Sequence, residues 1–191
     1  MSLSGKTALI TGGAKNLGAQ IARELASVGA NLALHYHASS SKADASKLEA
    51  ELKQKYPSIK IAFYDGDLTS AAAVTKLFQE TIRDFGHVDI VVNTVGKVLK
   101  KPITEISEAE YDSMFAYACL PTSPIAVPVL TNCRINSKAA FFILKEAAAH
   151  ITDGGKIIST VTALLGAFTG FYTSYAGSKA PVEHFTRYVC P

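Results

Sequence analysis

An apolar run at residues 6–10 meets the helical spacing Leu17, Ile21, Leu25 and Val28 across one glycine-bearing turn, Thr11-Gly12-Gly13-Ala14-Lys15-Asn16-Leu17-Gly18. A strand that passes directly into an amphipathic helix must pair beside other strands and lay that helix across their face. The step then repeats. Residues 31–35 read as a strand, and residues 41–56 as a helix with Leu48 and Leu52 at i,i+4, stopped by Pro57. A strand at 59–64 follows, then a helix at 71–85 whose Val74, Leu77, Phe78 and Ile82 form one apolar face, then the strand Asp89-Ile90-Val91-Val92-Asn93. Further on, residues 135–150 are helical, and Gly154-Gly155 turns into a strand at 156–160. This alternation predicts one α/β domain over residues 1–191, a doubly wound parallel sheet covered on both faces.

Composition narrows the function classes. The chain is 48% hydrophobic and 18% charged, enough apolar residue for a buried core. A net charge of +3 with scattered lysines gives no basic stripe for nucleic acid. No uninterrupted apolar run reaches the ~18 residues of a membrane-spanning helix, and the N-terminus lacks the basic and apolar regions of a signal peptide. A cytoplasmic protein is expected. Cys119, Cys133 and Cys190 lack CxxC spacing, and His35, His37, His87, His150 and His184 fall on separate elements, so no metal site is expected.

A glycine turn between a first strand and a first helix exposes backbone N–H groups at the positive end of a helix dipole, where phosphates bind. Gly12 and Gly18 fit that task. Gly5-Lys6-Thr7 imitates the end of a phosphate-binding Walker loop, but no glycine precedes it at the required spacing, so phosphoryl transfer is rejected. NAD sites carry an acidic residue about twenty positions beyond the turn, on the ribose 2′-hydroxyl. Here the second strand ends His35-Tyr36-His37-Ala38-Ser39-Ser40-Ser41-Lys42, without a carboxylate. A 2′-phosphate would be tolerated, with Lys15 and Lys42 to neutralise it and Ser39, Ser40 and Ser41 to donate hydrogen bonds. NADP(H) is therefore favoured, with NAD(H) the alternative. The serines serve equally as helix caps.

Tyr175 and Lys179 stand four apart in Tyr175-Ala176-Gly177-Ser178-Lys179. On a helix they share a face, so the ammonium can stabilise a neighbouring phenolate.

Together these residues resemble the classical short-chain dehydrogenase/reductase family over nearly the whole chain, apart from a proline-rich segment and the last four residues. Tyr175 to Lys179 matches its YxxxK signature, and Thr11 to Gly18 its TGxxxGxG turn, with Asn16 in place of the middle glycine. The resemblance implies a Rossmann fold and assigns Gly12, Lys15, Asn16, Leu17 and Gly18 to the cofactor. It assigns Asp67 and Leu68 to the adenine, and Asn93 and Gly96 to the NNAG segment. It makes Tyr175 the proton donor or acceptor as hydride moves between NADP(H) and a carbonyl or alcohol. A phenol titrates near 10 in water, so each unit of depression needs about 1.4 kcal/mol of phenolate stabilisation, supplied by Lys179. It further implies that Lys179 holds the nicotinamide ribose and that Asn136 positions a proton-relay water. A hydroxyl should polarise the substrate carbonyl. Thr162, thirteen positions before Tyr175, and Thr160, at the strand end Ile158-Ser159-Thr160, both qualify.

Residues 117–134 interrupt the pattern with Pro121, Pro124 and Pro128, each costing about 3 kcal/mol inside a helix. Removing them joins Met114-Phe115-Ala116 to Ile135-Asn136-Ser137 as an unbroken, family-like helix, so the segment is expected to be an insertion, either translated intron or a surface loop. Family members also continue through two more strands and a substrate-binding loop after the point where residues 187–191 end the chain. The last strand is then expected to leave an apolar edge open. The resemblance implies a homo-oligomer for the complete form. A catalytically silent nucleotide-binding fragment is the second reading.

Overall fold

The computed structural model describes residues 2–37, 41–115 and 135–189. Strand β1 (Thr7–Thr11) is buried along its whole length, as a central parallel strand requires. β2 (Asn31–Tyr36) and β4 (Val88–Asn93) pair with it on either side. Outside these lie β3 (Ile61–Asp65) and β5 (Ile151–Ser159), giving the all-parallel order β3-β2-β1-β4-β5. This is the α/β Rossmann-type sheet that the alternation predicts.

Neighbouring residues of β1 serve opposite faces. Ala8 and Ile10 pack with Leu32, Leu34 and Val92 beneath α1 (Asn16–Ser27) and α2 (Lys42–Lys55). Leu9 packs with Ala33 and Val91 against Val74, Leu77 and Phe78 of α3 (Ala71–Phe85) and Ala139, Ile143 and Ala147 of α5 (Lys138–His150). Fully burying side chains of the size of Leu9, Ile10 or Phe78 is worth about 1.5–3 kcal/mol apiece. Two more helices, α4 (Glu108–Phe115) and α6 (Thr173–Tyr188), pack on each other beyond α5. α4 begins with a reciprocal cap: Glu110 N–H donates to Ser107 Oγ, and Ser107 N–H donates to Glu110 Oε2.

Three sequence expectations need correction. The face α1 buries is Gly18, Ala19, Ala22 and Ala26, whereas Leu17 is 52% exposed and Val28 is exposed. Small side chains let this helix sit close on the sheet, which its first turn needs. Next, β5 begins at Ile151 and not after the glycine pair. Gly154, at φ 76°, makes the expected turn inside the strand, where the register against β4 shifts between Val88 and Ile90. Finally, α5 starts at Lys138, so Asn136 lies in the turn before it.

Among the described residues β5 pairs on one side only, and Ile158 is 53% exposed. The open apolar edge expected there is present. No helix among the described residues is long and apolar enough to cross a membrane. The insertion expected at 117–134 lies outside the described residues, except that its neighbours α4 and α5 end and begin on either side of it.

Candidate active site

The C-terminal ends of β1, β2, β3 and β4 open onto one cavity of about 570 Å³. Its floor is the turn between β1 and α1. Gly12 holds φ 68°, and a Cβ there would meet the Thr94 hydroxyl at 2.9 Å. Gly18 is required for a different reason: a Cβ would collide with the Gly12 carbonyl, because the first turn of α1 rests on the turn itself. Asn16 takes φ 49°. Asparagine tolerates left-handed backbone better than other residues with a side chain, which accounts for its presence where the family motif has glycine. The turn can therefore present backbone N–H groups at a helix N-terminus with no side chain at Gly12, Gly13 or Gly18, which is what a dinucleotide pyrophosphate needs.

Lys15, Asn16, Leu17, Asp67, Leu68 and Gly96 also line the cavity. Burial pushes the Asp67 carboxyl up, but hydrogen bonds from Thr69, including its N–H at 3.0 Å, outweigh this and hold it below the usual range. It stays an acceptor at neutral pH. Leu68 is 2% exposed, its side chain anchored in the core beneath the cavity. At the end of β2 the lining is His35, Tyr36 and His37, with no carboxylate on that strand end.

Four predicted cofactor contacts among the described residues, Lys42, Asn93, Tyr175 and Lys179, do not line the cavity. Lys42 is exposed at the start of α2 and does not line the cavity, whereas Ser41 does. Ser41 occupies the cap position of α2 without a side-chain cap hydrogen bond. Ser39 and Ser40 lie outside the described residues. Asn93 is 1% exposed and works from behind: its Oδ1 accepts from Thr11 Oγ1 at 2.8 Å and from Val95 N–H at 3.3 Å, tying the ends of β1 and β4 together.

The cavity's other end is Gly96, where α6 arrives. A Cβ on Gly96 would lie 3.0 Å from Lys179 Nζ and 3.1 Å from Asn136 Oδ1, so the missing side chain makes room for both groups. Lys179 is 3% exposed and donates to the carbonyls of Val95 (3.2 Å) and Thr160 (3.1 Å). Burial lowers its pKa. An ammonium carries three protons, so one is left over for a ligand. Tyr175, one turn earlier on α6, is half-buried, and Ser178 ties the same turn down by donating to the Tyr175 carbonyl at 2.8 Å. The Asn136 amide is committed: Oδ1 accepts from Lys97 N–H at 2.8 Å, while Nδ2 donates to Lys97 O and Ser178 Oγ, both at 2.9 Å. It fastens the loop after β4 to α6.

The two candidate threonines differ. Thr160 Oγ1 donates to the Asn93 carbonyl at 2.8 Å. Thr162 Oγ1 accepts from Leu164 N–H at 3.3 Å, heading the 3-10 turn Ala163–Leu165. Beyond it Phe168 is 94% exposed, and Phe171, at φ 72°, accepts from Lys101 N–H at 2.7 Å.

Sequence reasoning missed Thr94 and His35. Thr94, at the position of the second asparagine of the family segment, braces the turn: its Oγ1 donates to Thr11 O at 2.6 Å beside Gly12. His35, the penultimate residue of β2, lies under the turn, and no spacing motif in the sequence marks it.

The short chain dehydrogenase family profile matches residues 6–190. The hydroxynaphthalene reductase-like protein Arp2 of Metarhizium brunneum is 38% identical over 188 residues, which cover 97% of this chain and 62% of that protein. The hydroxynaphthalene reductase arp2 of Aspergillus fumigatus is 32% identical, with 98% and 60% covered. A dehydrogenase from Burkholderia cenocepacia with bound NADP is 51% identical at TM-score 0.84, covering 98% of this chain and 64% of that one. A blue fluorescent protein from a metagenomic library, in complex with NADPH, is 31% identical at TM-score 0.78, covering 95% and 66%. The chain thus spans less than two thirds of the length of the curated relatives it matches. Glycine turn, buried lysine and sequence match agree, and the chain belongs to the short-chain dehydrogenase/reductase family.

Proposed function

We propose that this chain carries the cofactor-binding and acid–base parts of an NADP(H)-dependent oxidoreductase that interconverts a carbonyl and an alcohol. The observation that carries this reading is the meeting of cavity and helix: Lys179, on the same face of α6 as Tyr175, reaches Gly96 at the cavity's end. Gly12 to Gly18 would hold the pyrophosphate, Asp67 and Leu68 the adenine, and Lys179 the nicotinamide ribose. The absence of a carboxylate at the end of β2 and the presence of Lys15 favour a 2′-phosphate.

The reduced nicotinamide supplies the hydride when bound. Tyr175 gives its phenolic proton to the substrate oxygen, and Lys179 stabilises the phenolate left behind. With its side-chain amide spent on Lys97 and Ser178, Asn136 would use its main chain to position the water that returns the proton by way of Lys179. Thr162 is the better candidate to polarise the carbonyl, because the Thr160 hydroxyl is already spent on Asn93. In the oxidative direction the proton runs back from the alcohol to Tyr175.

A second reading, a nucleotide-binding fragment without turnover, is favoured by the open edge of β5 and the bare aromatic flank at Phe168 and Phe171. Adding NADPH and NADH to the purified chain while following its melting, then offering carbonyls that include bicyclic aromatic ketones, separates the two. Protection by NADPH with consumption of NADPH on a carbonyl supports the enzyme. Protection without consumption supports the fragment, and no protection removes both.

A further inference from the structure

The penultimate residue of β2 touches both halves of the dinucleotide cavity. His35 is 2% exposed. Its Nδ1 accepts from Gly12 N–H at 3.3 Å, and its backbone carbonyl accepts from Gly13 N–H at 2.8 Å. On the far side of the ring, Nε2 lies 2.9 Å from the Gly66 carbonyl and donates to it, which makes Nδ1 the acceptor that Gly12 requires. The next residue is Asp67, whose carboxylate lines the cavity and is held by Thr69. One side chain thus joins the turn after β1 to the loop after β3 across β2.

We propose that His35 is a positioning residue of the dinucleotide site, an imidazole strut that sets the span between the pyrophosphate-binding turn and the adenine-binding loop. The inference rests on the cofactor reading above. A strut must donate on one side and accept on the other at fixed separation, and a rigid five-membered ring with one N–H meets that demand. Burial lowers the His35 pKa to about 4, outweighing the Gly66 hydrogen bond and the charges of Asp65 and Asp67, so the donor–acceptor form persists at neutral pH. Aliphatic side chains of similar volume would fill the space but leave Gly12 N–H without its partner and Gly66 O with only the exposed His37 Nδ1, at 3.3 Å.

The test compares His35→Leu, His35→Asn and His35→Gln in the whole chain, titrating NADPH and 2′,5′-ADP and recording each melting temperature. Asn can keep an acceptor where Nδ1 stands, and Gln a donor where Nε2 stands. The strut predicts that His35→Leu weakens NADPH tenfold or more. It also predicts that Asn and Gln each recover part of that loss, and that the losses do not follow the ranking of melting temperatures. 2′,5′-ADP, which lacks the pyrophosphate bridge to nicotinamide, should lose less than NADPH in His35→Gln, where the Gly66 link survives. If His35→Leu fails to fold, the Asn and Gln variants carry the same comparison against wild type. NADPH affinity unchanged in the variants, or falling only in step with melting temperature, overturns the strut and leaves the cofactor reading intact. A wild-type chain that does not bind NADPH removes both.

Discussion

The two ends of the sheet both gather polar side chains, and they use them differently. At the N-terminal ends of the strands, Asp89 is 5% exposed and its carboxylate is fully engaged. Lys6 Nζ and Thr152 Oγ1 reach Oδ1, each at 2.9 Å, while Thr7 N–H, at 2.9 Å, and His87 Nε2, at 3.0 Å, reach Oδ2. At the C-terminal ends the backbone turns away from side chains and toward a cavity, and Lys179 keeps one proton beyond its two carbonyl partners. Of the buried side-chain polar atoms without a partner among the described residues, Asn93 Nδ2 and Ser159 Oγ lie at this end, against Thr7 Oγ1 at the other. A cluster whose members satisfy one another holds the fold. A cluster that leaves capacity over is arranged for a ligand, and this matches the rule that open α/β sheets bind at the carboxyl ends of their strands.

The largest effect expected is on chemistry alone. Tyr175→Phe removes one hydroxyl from the C-terminal end, and turnover in an active form should fall by roughly 10²–10⁴-fold, the usual worth of a positioned general acid. NADPH affinity should stay within about twofold. Steady-state kinetics beside a binding titration check this, and retained turnover would take the proton-donor role from Tyr175.

Gly18→Ala comes next. The new Cβ meets the Gly12 carbonyl, so either the turn or α1 must move. Overpacking of this kind costs about 1–3 kcal/mol, and NADPH affinity should fall by more than about tenfold, since 1.4 kcal/mol is one decade. Calorimetry reads both quantities.

The opposite end gives the contrast. Asp89→Asn should cost about 2 kcal/mol of stability, for lost charged hydrogen bonds in a buried site, and leave NADPH affinity unchanged. Burial raises the Asp89 pKa, but the bonds from Lys6, Thr7 and Thr152 and the charge of His87 bring it below its ordinary value. A depressed carboxylate stabilises the fold above its unfolded pKa, near 3.9, and that contribution disappears as pH falls through the folded value. Denaturant midpoints measured from neutral pH into acid should therefore fall less steeply for Asp89→Asn than for wild type. A change in cofactor affinity would break the division between the two ends.

The smallest effect sharpens the cofactor choice. Lys15 lines the cavity and Lys42 does not. Lys15→Ala should weaken NADPH several-fold more than NADH, in keeping with less than about 1 kcal/mol for an exposed charge pair, and Lys42→Ala should do less. Parallel titrations with the two dinucleotides decide.

What the sequence disclosed follows from how strongly each feature is patterned. Parallel strands and the α3 face were legible because Val74, Leu77, Phe78 and Ile82 repeat at helical spacing beside continuous apolar runs. α1 misled because alanine and glycine carry little hydrophobic signal, while Leu17 turns toward the cavity. The start of β5 misled because Gly154-Gly155 reads as a boundary, although the strand absorbs it as an irregularity. Tyr175, Lys179, Gly12 and Gly18 were visible through fixed offsets along the chain. The convergence of Lys179 with Asn136 and Gly96, and the service of Thr94 and His35 beneath the turn, depend on contacts between residues far apart in sequence. No local pattern encodes those contacts. Asn16 reads as a defect in the motif until its left-handed backbone is seen.

The structure of the chain with NADPH bound tests the central claim most directly. The account predicts the pyrophosphate on the turn from Gly12 to Gly18, the adenine against Asp67 and Leu68, and the nicotinamide ribose within hydrogen-bond reach of Lys179 with Tyr175 facing the ring. A dinucleotide bound elsewhere, or bound in the cavity with Tyr175 and Lys179 turned away from the nicotinamide, would contradict it.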